Sequence, residues 1–127
     1  MMIITIILSA LIIFIIGMVY YKLLGNLWLR AYHFKKEDLE PTPFHMAGAL
    51  VVSTLVALGI CLFISTSGMN SLVQGAEVGF FSWLFFVAPT QFSGVIWCGK
   101  PVQGFLIDTV CNAISFTIAG GFAGLLL

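Results

Sequence analysis

The chain has 127 residues, of which 61% are hydrophobic and only 8% are charged. A soluble domain carries about a quarter of its residues as Asp, Glu, Lys or Arg, so this composition excludes an ordinary water-exposed surface and indicates a chain surrounded by lipid. Five basic residues balance five acidic ones, and this zero net charge gives no sign of a nucleic-acid partner.

The N-terminal segment Met1–Tyr21 contains no charged side chain and is long enough to cross the hydrocarbon, which takes about 20 apolar residues in a helix. No basic residue precedes this run, and no small-residue cleavage site follows it. We therefore interpret it as a retained membrane span and not as a signal peptide.

The segment after the first span is amphipathic. Between residues 22 and 37 most apolar side chains fall on one arc of a helical wheel and the polar ones on the other. This pattern predicts a short interfacial helix between spans one and two, which anchors the bundle rather than recognising a specific lipid. Trp28 is expected at headgroup depth, Arg30 toward lipid phosphate, and Lys35 and Lys36 at the same interface.

Three further apolar segments match membrane spans, separated by a turn around Gly68 and by Gly99-Lys100-Pro101. Since backbone amides cannot remain unpaired in lipid, and the alternating pattern of a β-barrel is absent, all spans are predicted to be helices. The predicted fold is all-α: an integral membrane bundle of four transmembrane helices with the short amphipathic interfacial helix, in one domain over residues 1–127. The spans are placed at about residues 2–22, 44–66, 75–97 and 102–126.

The distribution of Lys and Arg predicts the orientation. All five lie in the loops between spans one and two and between spans three and four, which share one side of the membrane. The positive-inside rule places both loops in the cytoplasm and both termini outside.

Two acidic side chains fall inside predicted spans, where a charge costs at least about 2.5–3.5 kcal/mol and is therefore a candidate for function. Asp108 lies about two turns into span four, and Glu77 lies near the start of span three. Pro89 removes a backbone hydrogen bond from span three and predicts a helix kink. Alternatively, such polar groups cap a helix or bond to a neighbouring one. The candidate polar cavity consists of Asp108, Asn112, Gln91 and Glu77.

Glycines form two small-xxx-small patches that allow close helix packing within the bundle or between copies, namely Gly75 with Gly79 and Gly120 with Gly124. The three cysteines lack the spacing of a disulfide framework or a zinc site. Groups for a nucleophile, a base and an orienting partner do not converge in sequence. No metal, no cofactor and no enzymatic activity are therefore predicted.

Several apolar motifs carry a family resemblance: Gly75-Ala76-Glu77-Val78-Gly79-Phe80, Phe85-Phe86-Val87-Ala88-Pro89, Gly99-Lys100-Pro101, Phe105-Leu106-Ile107-Asp108, and Gly17-Met18-Val19-Tyr20-Tyr21. Together they resemble the domain of unknown function 1761 family over nearly the whole chain. The resemblance implies a compact four-span protein of bacterial type, and hence a multi-pass protein of the bacterial inner (plasma) membrane. The resemblance implies no established activity, but it strengthens Asp108 as a candidate functional residue.

The predicted function is a non-enzymatic, self-associating or accessory subunit of a membrane complex. Its expected partners are the lipid bilayer and either further copies of the chain, as a homo-oligomer, or other membrane subunits. One alternative is permeation of a small solute or proton through an oligomer, using Asp108 and its neighbours. Another is a membrane-embedded redox protein that uses Cys98 or Cys111.

Overall fold

The structure, a computed structural model, describes residues 2–33 and 43–127. Each of its four long helices is long and apolar enough to cross a membrane, which confirms the all-α fold with four candidate spans. We label them in chain order α1 (Met2–Tyr32), α2 (Pro43–Ser67), α3 (Leu72–Cys98) and α4 (Val102–Leu126). The last three predicted spans fall within α2, α3 and α4.

The first helix is longer than the predicted span. Residues 22–32 are helical as expected, but they continue the first span without a break instead of forming a separate interfacial helix. The 31 residues of α1 measure about 46 Å at ~1.5 Å per residue, against a hydrocarbon core of about 30 Å. No proline interrupts this stretch, so nothing in the backbone ends the helix before His33, which adopts a left-handed φ of 58°. Lys35 and Lys36 lie outside the described residues.

Opposed glycines bring α3 and α4 into close contact. A Cβ added at Gly75 would lie 2.8 Å from the Cα of Gly124, and one at Gly124 would lie 2.9 Å from the Cα of Gly75. A Cβ at Gly79 or Gly120 would overlap a backbone carbonyl of the facing helix. The structure therefore places the four glycines of the two small-xxx-small patches at one interface inside the bundle, where all four are buried.

The bundle is tightly packed at one end and open at the other. Its core joins Ile60, Cys61 and Ile64 of α2 to Ala119 and Ala123 of α4, near the chain termini and the α2–α3 turn. In contrast, α2 has no buried residue before Ser53. The first half of α2 is therefore hardly covered by the other described helices.

A π-helical turn occupies Trp83–Val87 in the middle of α3. The N–H of Ala88 donates to the carbonyl of Trp83, five residues back, and Pro89 follows directly. Since Pro89 has no N–H to donate, the wide turn lies where the regular hydrogen-bond ladder is already interrupted. The kink itself remains a prediction.

The glycine contact predicts a difference between two substitutions. Gly79→Ala is expected to lower the melting temperature in mild detergent, because its Cβ would overlap the Phe116 carbonyl and overpacking costs about 1–3 kcal/mol. Gly59→Ala is the matched control, since a Cβ at Gly59 meets nothing within 4 Å. Thermal unfolding followed by tryptophan fluorescence measures both, and equal melting temperatures would contradict the packing described.

Candidate site at Asp108

The carboxylate of Asp108 accepts three hydrogen bonds from one face of α1. The Tyr21 hydroxyl and the Trp28 indole Nε1 donate to Oδ1 over 2.5 Å and 2.9 Å, and the Tyr32 hydroxyl donates to Oδ2 over 2.7 Å. These donors recur at helical spacing, so an unbroken α1 is needed to direct all three toward α4. We call Asp108 with Tyr21, Trp28 and Tyr32 the Asp108 cluster.

Neighbouring groups hold the cluster in place. The ring centroids of Trp28 and Tyr32 lie 4.6 Å apart, and the rings of Tyr21 and Trp28 are nearly perpendicular at 6.5 Å. A Cβ at Gly104 would overlap the Tyr32 ring, lying 2.9 Å from its Cδ2 and closer still to two other ring atoms. Glycine at this position therefore makes room for Tyr32 to reach Asp108, one turn further along α4.

The three donors are uncharged. An ionised carboxylate has about four acceptor positions, so the cluster leaves about one of them open, on Oδ2. Hydrogen bonds of this kind stabilise the carboxylate in an apolar setting, but they do not cancel its charge. The described basic residues at this end, Lys22, Arg30 and Lys100, are exposed. The arrangement can therefore attract a cation or a proton.

A cleft of about 470 Å³ lies between α1, α2 and α4 and adjoins the cluster at Tyr21, whereas Asp108 itself does not line it. Tyr21 belongs to both, because it lines the cleft and donates to Asp108. Gly17 and Gly48 also line it, and a Cβ at either would meet nothing within 4 Å. The cleft exists because the first half of α2 does not cover α1 and α4. Its remaining walls include the polar side chains of Ser53, Asn112 and Ser115 and the apolar ones of Phe14, Met18 and Val52.

The structure brings together only part of the candidate polar cavity. Asn112 lines the cleft next to the Asp108 cluster. Gln91 lies on α3 outside this cleft, with its Oε1 buried and without a hydrogen-bond partner among the described residues. Glu77 lines a different pocket of about 490 Å³, at the opposite end of the bundle, together with Phe81 and Phe85. The antiparallel course of α3 and α4 separates Glu77 from Asp108.

Trp28 has a role that sequence reasoning missed. It was expected at the lipid interface with Arg30, but it is half-buried and donates to Asp108. Arg30 is exposed. Tyr21, Tyr32 and Gly104 were not singled out either. The helical spacing of Tyr21, Trp28 and Tyr32 is the signal that could have found them, provided that α1 is read as one helix.

The described residues give less support to metal binding and to redox chemistry at a cysteine. Within residues 2–33 and 43–127, no three side chains among His, Cys, Asp and Glu come together as a metal site. The three cysteines are free, with Cys61 and Cys111 buried and Cys98 exposed at the end of α3.

Comparison with known proteins gives one match. A family model described as "Protein of unknown function (DUF1761)" matches residues 4–124, which include every member of the Asp108 cluster. Neither a curated protein nor a solved structure matches the chain.

A double-mutant cycle tests the cluster. Tyr32→Phe removes one donor and keeps the ring, so it is expected to cost about 0.6 kcal/mol of unfolding free energy, the average for hydrogen bonds within membranes. In an Asp108→Leu background the same substitution should cost less, because the hydrogen bond to Asp108 is already absent there.

Tyr20→Phe is the control, since the Tyr20 hydroxyl donates to the carbonyl of Ile107 over 2.6 Å and not to Asp108. Tyr20→Phe should lower the unfolding free energy by the same amount with Asp108 and with Leu at position 108. Unfolding of the purified protein in mixed micelles measures all variants, and an uncoupled Tyr32 would be inconsistent with the cluster.

Proposed function

This chain belongs to the family of proteins of unknown function DUF1761, and on that premise we propose that it is a non-enzymatic membrane protein that binds a small solute in the cleft between α1, α2 and α4. Asp108 acts on the solute through Tyr21, whose hydroxyl donates to the carboxylate and whose side chain lines the cleft. The observation that carries the proposal is the Asp108 cluster, a carboxylate that accepts three hydrogen bonds from uncharged donors, one of which, Tyr21, also lines the neighbouring cleft.

The energetics of the site support a binding role. A carboxylate within a membrane-spanning helix is costly, and such groups usually mark a pathway for ions, protons or substrates. Three hydrogen bonds orient the Asp108 carboxylate before any solute arrives, which reduces the ordering needed on binding.

The size and lining of the cleft also suit a small molecule. Its volume of about 470 Å³ lies within the range of about 300–1,000 Å³ that is common for ligand sites. The walls are mostly apolar, with a few polar side chains contributed by Ser53, Asn112 and Ser115. The uncovered first half of α2 leaves a lateral entrance from the bilayer, and movement of the bound solute or of a proton would use this same cleft.

A role as a self-associating or accessory subunit is the second candidate. The observation in its favour is the exposed apolar surface of α2, which includes Phe44, Val51 and Val52. The two glycine patches do not add to it, because they pack against each other within the chain. Lipid covers such a surface as well as a protein partner does. The exposed surface of α2 is therefore weaker support for a subunit role than the Asp108 cluster is for solute binding.

A solute screen tests the proposed function. Purified protein is screened by thermal shift against amines, amino acids, sugars and carboxylic acids, since a ligand at 100 times its Kd stabilises the folded state by about 2.7 kcal/mol. At least one compound is expected to stabilise the wild type but not Asp108→Asn. Glu77→Gln is the matched control, because it makes the same change in α3 outside the cleft. A screen in which no compound distinguishes Asp108→Asn would refute the proposal.

We also propose that the chain lies in a bacterial inner membrane with the Lys100 end in the cytoplasm and both termini outside. Lys22, Arg30 and Lys100 lie at this end of the bundle, whereas residues 68–71, which connect α2 to α3 at the other end, contain no Lys or Arg. The positive-inside rule supports this orientation.

Native Cys98 offers a direct test of the orientation. It is exposed and close to Lys100, whereas Cys61 and Cys111 are buried. A membrane-impermeant maleimide should therefore label the protein in inside-out vesicles but not on intact spheroplasts. Asn70→Cys in a Cys98→Ala background should give the reverse pattern. Labelling of native Cys98 on intact spheroplasts would show the opposite orientation.

A further inference from the structure

We infer that the chain binds a phospholipid with a primary ammonium headgroup at a second site, a groove between α2 and α3 that begins at Glu77. This groove is separate from the cleft of the proposed function, because the two share no lining residue. The inference follows from the shape of the groove, its length relative to the bilayer and the charge at its end.

The groove is long and its walls are mostly apolar. It joins the pocket of about 490 Å³ that contains Glu77 to a pocket of about 330 Å³, because Phe63 and Phe86 line both. The π-helical turn of α3 contributes Phe85, Phe86 and Val87 to these walls, and turns of this kind are frequent at functional sites. A helix about 10–12 Å across cannot enter such a space and could only lie over it, whereas an alkyl chain can enter.

The groove is about as long as one leaflet of the bilayer is deep. Along α3 it runs from Glu77 to Val87, which is about 15 Å at ~1.5 Å per residue. This length is half of a hydrocarbon core of about 30 Å. Glu77 lies at the end next to the α2–α3 turn, where Ser67 and Met69 also line the groove. A lipid of that leaflet therefore places its headgroup at Glu77 and an acyl chain along the phenylalanines.

The charge at this end selects a cation. Glu77 is the one charged side chain among the described residues that line the groove, and no other described residue forms a hydrogen bond or an ion pair with it. Lys22, Arg30 and Lys100 lie at the other end of the bundle. A second copy of the chain in the same orientation would therefore bring none of these three cations to Glu77, whereas a lipid ammonium reaches it directly.

Hydrogen bonding distinguishes between the two kinds of ammonium headgroup. A carboxylate only accepts hydrogen bonds, and a primary ammonium supplies three N–H donors together with its charge. A quaternary ammonium supplies the charge without a donor, so it lacks the charge-assisted hydrogen bonds that make such pairs strong. A lipid with a net negative charge is repelled by Glu77.

The test is a lipid titration of the purified full chain, followed by native mass spectrometry. The probes are dioleoyl phosphatidylethanolamine, phosphatidylcholine and phosphatidylglycerol, which share their acyl chains and differ only in the headgroup. The wild type is expected to bind the ethanolamine lipid at least about fivefold more tightly than the other two. Glu77→Gln should bring the three Kd values to within about twofold of each other, and Glu77→Asp, which keeps the charge, should preserve their order. The same preference in the wild type and in Glu77→Gln would overturn the inference.

Two substitutions on α2 test where the acyl chain lies. Gly59→Leu fills the groove, and it should fold because a Cβ at Gly59 meets nothing within 4 Å. Ala47→Leu is the control, since Ala47 is exposed on the same helix and does not line the groove. Gly59→Leu is expected to raise the Kd for the ethanolamine lipid at least about fivefold, and Ala47→Leu to leave it within about twofold. Equal Kd values for the two variants would contradict the position of the acyl chain.

Photocrosslinking identifies the occupant of the groove in the membrane. p-Benzoylphenylalanine replaces Phe85, which lines the groove and is 64% exposed, or Val51, which is 58% exposed on α2 outside the groove. Adducts at position 85 are expected to be lipids, with a larger share of ethanolamine lipid than the adducts at position 51. A polypeptide adduct at position 85 would show that a protein partner occupies the groove and would overturn the inference.

Discussion

The hydrogen bonds between Asp108 and one face of α1 connect the features that matter most in this structure. A carboxylate in an apolar environment requires several donors, and three of them come from a single helix at helical spacing. That requirement holds the second half of α1 against α4 and is met only if α1 continues to Tyr32. It also leaves Tyr21 positioned at the mouth of the cleft.

The two ends of the bundle are built on different physical principles. Near the termini and the α2–α3 turn, glycine backbones of α3 and α4 pack against each other, so dispersion contacts between closely approaching helices dominate. At the Asp108 end the contacts are polar and aromatic, and the first half of α2 is hardly packed. The tight end provides a stable framework, and the open end contains the cleft between α1, α2 and α4.

Several features could be predicted from the sequence because they depend on local chemistry. Hydropathy over about 20 residues identifies a span regardless of its neighbours, and a charge within such a span is costly wherever the helix packs. These rules predict the four helices, and they identify Asp108 and Asn112 as candidate residues of a polar site. The glycine spacing likewise predicts two packing faces, but it does not say that each face is the partner of the other.

Only the tertiary structure shows which side chains come together around Asp108. The change from an apolar to an amphipathic pattern after Tyr21 indicated a helix lying in the interface, yet the same polar edges of Trp28 and Tyr32 point to a carboxylate 76 or more positions away in the chain. Glu77 and Asp108 look equivalent in sequence, but the antiparallel arrangement places them at opposite ends of the bundle, where Glu77 lines a pocket and Asp108 bonds to α1. Local patterns report how a residue prefers to be solvated, whereas its actual partner depends on which helix faces it, and only the packed bundle determines that.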